Sequence, residues 1–369
     1  MPINSGLAQL SEDLLLITIV VYALAMLAYA CDFAFGRQHA QESAPAKVPE
    51  LVAAGVVAGT AGTTMAATAT AGTATAGTAT LGNAKTGGAD GTAGPAGGSG
   101  APSPVALFAG SAAARPGFWV RTALVLTVIG LTVHIAGILT RGLSEHRVPW
   151  GNMYEFVTAI TCMAVIVLVA ISLRYKAYYI GLFVLLPVVF ALGVAVTVIY
   201  TPAGSLVPAL QSYWIAIHVT AMIIASGLFI VGAITTTMYL AADRHERRVA
   251  AGQPSKTAGI MQHLPRPLVL DRLSYRTILF AFPVWTFGIM AGAIWADQAW
   301  GRYWGWDPKE TWSFITWVVY AGFLHARATA GWRGRKAAYI QLAAFSCLMF
   351  NLIGINLWVT GLHSYAGLG

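Results

Sequence analysis

Eight apolar stretches, each about twenty residues long, dominate this chain, near 13–34, 117–140, 154–173, 178–200, 212–240, 276–297, 311–330 and 337–360. A helix rising 1.5 Å per residue needs roughly twenty residues to cross the ~30 Å hydrocarbon core of a bilayer. Only 10% of the 369 residues are charged and 57% are hydrophobic, whereas soluble domains carry roughly 25% charge. These features predict an all-α, polytopic integral membrane protein of about eight transmembrane helices. The first stretch follows Glu12 and Asp13 and shows no small-residue cleavage site, so an anchor is expected there rather than a removable signal.

The net charge of +8 is explained by its distribution, without nucleic acid. Taking alternate connections between the eight stretches, eighteen of the twenty-two Lys and Arg residues fall on one side, and only Arg141, Arg147, Arg302 and Lys309 on the other. Basic connections stay cytoplasmic. Both termini and the segment containing Arg302 and Lys309 are therefore expected outside the cell (cytoplasmic) membrane. Residues 37–116, rich in Ala, Gly, Thr and Pro with the near-repeat TATAGTATAGTAT at 68–80, have the composition of a disordered cytoplasmic linker. The expected division is an anchor over 1–36, that linker, and a seven-helix membrane domain over 117–369. The connection 241–275 is basic and reads as a solvated charge run at the cytoplasmic surface. Cys31, Cys162 and Cys347 lie in apolar runs, and no CxxC or CxxCH occurs. A disulfide framework, a zinc site and covalently attached haem are thus not expected.

Between the sixth and seventh stretches lies WADQAWGRYWGWDPKETW, Trp295 to Trp312, which holds five of the twelve tryptophans. Amphipathic rings gather at membrane interfaces, but this density and order exceed an ordinary aromatic belt. Trp300, Tyr303, Trp304 and Trp306 are expected on a connecting segment in which Gly301 and Gly305 let the backbone turn tightly. Such a platform, joined by Trp295, suits a large, flat, apolar ligand. Asp307-Pro308-Lys309-Glu310 has the form of a helix start, with an Asp N-cap, Pro at the first position and Glu three residues past the cap. Asn152 and Glu155 in PWGNMYE repeat that spacing.

Coordinating groups within apolar helices default to functional candidates. His218 sits about two turns from the outer end of the fifth stretch, and His363 just beyond the eighth. Both are expected at the depth of the Trp-rich segment, an arrangement able to hold a haem iron between two axial imidazoles. His325 falls ~20 Å further along the seventh stretch, beyond reach of the same iron; a second haem or a bond across the bundle explains it equally well. His134 is a weak candidate without an obvious partner. His39, His146, His245 and His263 lie in loops and are assigned no ligand role.

WGRYWGWDPKETW, LHAR at 324–327 and GLHSYAG at 361–367 together resemble the Trp-rich (WWD) signature of haem-handling proteins. Within those, the chain is most similar to the CcsA/ResC family of cytochrome c biogenesis, called CcsB in actinobacteria. PWGNMYE and the surroundings of His218 resemble that family too, over 117–367. The resemblance implies non-covalently bound haem b and a ResB/CcsB-type membrane partner in the two-component route called system II. It implies thioether attachment of haem to the CxxCH cysteines of apocytochrome c, a cytochrome c haem lyase activity of the complex, with thiol-reducing proteins as further partners. It also implies that His218 and His363 are external haem ligands and Trp295, Trp300, Tyr303, Trp304, Trp306 and Asp307 the external haem-binding segment. His325 would ligate a haem within the membrane whose other ligand comes from the partner. Such a protein belongs in a cell membrane rather than a thylakoid. Two alternative classes remain: a haem exporter without ligase activity, and a diheme cytochrome b-like electron-transfer subunit.

Overall fold

The computed structural model describes residues 3–35, 117–205, 210–253, 261 and 264–363. The expected linker 37–116, His39 and His263 lie outside the described residues. Helices account for nearly everything described, and no strand occurs among these residues.

The helices are α1 (Ser5–Phe35), α2 (Phe118–Glu145), α3 (Met153–Tyr175), α4 (Gly181–Thr197), α5 (Tyr213–Ala250), α6 (Pro267–Trp300), α7 (Pro308–Ala328) and α8 (Arg335–Trp358). A 3-10 turn, Tyr178–Ile180, precedes α4. Within α8, the α-helix ends at Met349, Phe350–Gly354 forms a π-turn and Ile355–Trp358 resumes the helix. Seven of these segments are long and apolar enough to cross a membrane, making this a multi-pass membrane protein. The seventh expected stretch is the 21-residue α7. It does not reach the apolarity of the others, because Trp, Tyr, Ser and Thr punctuate it and Lys309, Glu310, His325 and Arg327 bound it.

Several ends follow local chemistry. Asn152 caps α3 through its side chain, which accepts the Glu155 amide at 2.9 Å. Ser212 caps α5 by accepting the Trp214 amide. Pro267 opens α6, and Gly301 closes it in the left-handed conformation (φ 70°), its amide donating to the Asp297 carbonyl. The basic connection is shorter than expected: α5 continues to Ala250 and α6 begins at Pro267. In that extension Asp243 accepts from Arg247 one turn on, at 2.9 Å, a spacing that supports exposed helix.

α1 packs along α2, and α5 along α6, more extensively than any other pair. One core joins α1 to α4 with the adjacent face of α5 and includes Tyr22, Tyr29, Leu168 and Leu185. The Tyr22 ring occupies the space a Cβ at Gly130 would need (2.6 Å), which explains a glycine in mid-helix despite its cost. A second core, around Phe229, Trp285, Tyr320 and Leu348, joins α5, α6, α7 and α8. α6 ends, α7 begins and α8 ends at one end of the bundle, termed the Trp-rich end below.

Candidate functional site

α7 begins as the sequence predicts. The Asp307 side chain accepts the Lys309 amide at 3.3 Å, and Glu310 reaches back to the Asp307 amide at 3.0 Å and to the Gly305 amide at 2.9 Å, a complete capping box. Asp307 does more than cap. One carboxylate oxygen accepts the Leu362 amide at 2.7 Å and the other receives His363 Nδ1, also at 2.7 Å. One residue thus ties the start of α7 to the chain beyond α8. Burial alone would raise the Asp307 carboxyl, but the hydrogen bonds from His363, Leu362 and Lys309 more than offset it and hold the group below the usual carboxylate range.

His218 and His363 meet the same side chain. Trp295, 2% exposed, stacks on the His218 ring (centroids 6.0 Å, 9° between planes) and meets the His363 ring edge-on at 5.7 Å. Trp300 contacts both Trp295 and His363, at 4.8 and 5.0 Å. His218 Nδ1 lies 2.7 Å from the Gly288 carbonyl. Each imidazole therefore has an acceptor at Nδ1, a carbonyl for His218 and a carboxylate for His363, which favours the tautomer whose Nε2 carries the lone pair. A metal-binding histidine needs that orientation. Gly292 makes room for His218, since a Cβ there would fall 2.7 Å from its ring.

Around these rings opens a cavity of about 170 Å³ that is continuous with solvent. Trp295, Trp300, Tyr303 and Trp304 line it, as do His218 and His363. Ligand pockets have mostly apolar walls and a few convergent polar groups, and this lining has that character. Two oriented imidazoles among indole walls form a donor set and a surface that fit a haem.

Other expected site residues stand apart. Trp300 closes α6 rather than lying on the connecting segment. Trp306, in left-handed backbone (φ 58°) and 66% exposed, turns away from the cavity and packs edge-on against Trp304 and Phe314. Gly305 supplies space rather than a special dihedral, because the Arg302 guanidinium fills the place of its missing Cβ. His325 is exposed on α7, and its neighbour Arg327 is engaged elsewhere, paired with Asp271 of α6 at 2.7 and 2.9 Å. His134 is fully buried, with the Tyr22 hydroxyl 3.4 Å from its Nδ1.

The sequence left Glu155 as a cap. Here it is 1% exposed and takes Arg141 Nε at 3.2 Å, Arg147 at 3.0 and 3.1 Å and the Gly151 amide at 2.7 Å. Glu145 completes the network by pairing with both arginines. This charged knot braces the loop that carries Trp150, whose indole donates to Thr220 of α5 at 3.2 Å and lines the cavity. The signal was present as two Arg and two Glu within fifteen residues at the end of an apolar run.

Residues 150–363 match the family model described as Cytochrome C assembly protein. A cytochrome c biogenesis protein CcsA from Guillardia theta is 35% identical over 258 residues, covering 66% of this chain and 84% of the relative. Another CcsA, from Chlamydomonas reinhardtii, is 45% identical over 163 residues, which cover 44% of this chain and 43% of that protein. Among solved structures, a cytochrome c heme lyase CcmF aligns with a TM-score of 0.49 at 18% identity, over 67% of this chain and 43% of that one.

Proposed function

Because the chain belongs to the cytochrome C assembly protein family, its role lies in cytochrome c biogenesis, and we propose that it is the haem-presenting subunit of a haem lyase. It takes haem b without covalent attachment, holds it at the outer face of the cell membrane and, with a ResB/CcsB-type partner of system II, promotes thioether bonding to the CxxCH cysteines of apocytochrome c. The observation that carries this reading is the contact of His218 and His363 with the same indole, Trp295, at the wall of one cavity.

When bound, the haem supplies the iron that accepts imidazole nitrogen and the vinyl groups that accept cysteine sulfur. The chain supplies orientation. Gly288 O and Asp307 set the two imidazole planes, and Trp295, Trp300 and Trp304 cover a flat apolar face and keep water from it. Holding the reacting partners in register is the larger part of catalysis where no acid–base group is required. His325, exposed on α7, supports a second, intramembrane haem completed by the partner's ligand.

With α7 as an eighth crossing, both termini and the Trp-rich end face outward. The charge asymmetry supports that orientation. The division into an anchor over 1–36, a linker over 37–116 and a haem-handling domain over 117–369 is part of the same proposal.

The test is spectroscopic. Purified protein carrying His218→Ala or His363→Ala should lose the low-spin bis-imidazole spectrum of the wild type after haem titration. Unchanged haem content and spectrum in both variants would remove the external site.

A further inference from the structure

Lys309 also lines the cavity, beside Glu310 and Ser313 and among the indoles of Trp295, Trp300 and Trp304. It stands on the first turn of α7, two residues from the Asp307 that orients His363. Lys309 is half-buried, with the Asp307 charge nearby but outside ion-pair distance, and a partly desolvated ammonium gains from an anion brought to it.

The other basic residues of this end are compensated. Arg141 and Arg147 pair with Glu145 and Glu155, and Arg302 lies 3.5 Å from Glu310. Among the described residues, no carboxylate lies within ion-pair distance of the Lys309 ammonium. Its acidic neighbours in sequence are already committed. Both Asp307 oxygens hold Leu362, His363 and the Lys309 amide. Glu310 holds the Gly305 and Asp307 amides with one oxygen and faces Arg302 with the other. One cation thus stands in the cavity wall with no carboxylate of the described residues closed upon it, open to an anion that enters the cavity.

We propose that Lys309 is a carboxylate-anchoring residue, which takes a propionate of the haem and fixes the rotation of the porphyrin about the axis through the two imidazoles. This rests on the haem reading of the same cavity. A single anchored carboxylate has a consequence the imidazoles cannot provide. Axial ligands tolerate any rotation of the ring, whereas an edge contact selects which vinyl edge is turned toward the solvent opening. Lys309 would therefore act as a positioning residue for the attachment reaction, through the ligand's carboxylate and not through its reacting carbons.

The experiment compares haem with haem dimethyl ester, in which both propionates are masked, by absorbance titration of the purified full-length protein. Wild type should bind the diacid about tenfold or more tightly than the ester, the scale of one hydrogen bond to a charged group. Lys309→Met should lose most of that preference by weakening diacid binding alone, and Lys309→Arg should keep it. Equal binding of diacid and ester by wild type, or a full preference retained in Lys309→Met, overturns the assignment while leaving the imidazole site intact. Wild type that binds neither form with a bis-imidazole spectrum overturns the cavity reading and this inference together. The wild-type comparison requires no variant, so a Lys309→Met chain that fails to fold does not shield the proposal.

Discussion

The two ends of the bundle treat their polar groups in opposite ways. At the Trp-rich end, His218, His363 and Lys309 face a cavity, and their neighbours hold them there: Gly288 O and Asp307 on the imidazoles, the charged knot behind Trp150 on the opposite wall. At the other end the polar groups close on one another. Arg327 forks onto Asp271 and lies over the Tyr275 ring at 4.4 Å, and Thr236 shares a hydrogen bond with Ser274. His325, toward the same end, faces away from the core. The difference teaches that an imidazole in an apolar helix becomes a ligand candidate through the space in front of it and the acceptor behind it. Depth in the helix alone does not decide it.

The largest effect should come from the side chain both imidazoles share. Trp295→Ala removes a buried indole touching His218, Trp300 and His363. Truncating a buried aromatic costs about 3–5 kcal/mol, so thermal unfolding should shift down measurably. Haem titration should show no bis-imidazole spectrum. Gly292→Ala attacks the same end with less damage to folding. Its new methyl would stand 2.7 Å from Nδ1 and Cε1 of His218, pushing the ring off the Gly288 carbonyl. Haem affinity should fall by an order of magnitude or more while the melting temperature falls less than in Trp295→Ala. If Gly292→Ala binds haem as wild type does, His218 is not held for ligation.

Asp307→Asn comes next. Asparagine has one acceptor oxygen, which can serve the Leu362 amide or the Lys309 amide of the cap but not both, so stability should fall by about 1 kcal/mol. It removes the negative charge behind His363, and loss of such a partner typically lowers affinity about 10–100-fold. A drop in affinity well beyond that small loss of stability would separate orientation of His363 from capping of α7. Equal losses in both would reduce Asp307 to a structural cap.

These variants also mark where the sequence could be read and where it could not. The start of α7 was legible because its signals lie within four residues and act locally: cap, proline, returning glutamate. The spanning helices were legible because length and apolarity are one-dimensional properties. The roles of Trp295, Gly292 and Gly305 were not, since each depends on where a side chain from elsewhere comes to rest. For Gly305 that side chain is Arg302, three residues away but folded back over it. Glu155 was half legible: its spacing revealed the cap, but its four-residue charged network needed α2 to end beside α3. For His325 the depth was legible, and only the packing of Tyr320 and Phe323 into the core shows that the histidine, two residues further around the helix, stands on the outward face.

The smallest effects should come from the two histidines that do not face the cavity, and they should differ from each other. His134→Leu leaves the Tyr22 hydroxyl without its ring partner in a fully buried place, a loss of about 1–3 kcal/mol, with the haem spectrum untouched. His325→Ala removes an exposed side chain, so the isolated chain should keep its stability within roughly 0.5 kcal/mol and bind haem at the Trp-rich end as wild type does. An imidazole exposed on a membrane-spanning helix is nevertheless a costly group, and something that comes to it from outside the chain would account for its presence. If that is a haem shared with the partner, the purified two-protein complex carrying His325→Ala should lose one haem's absorbance while the isolated chain loses none. A loss already present in the isolated chain would place His325 at an internal site and erase the contrast between the two ends.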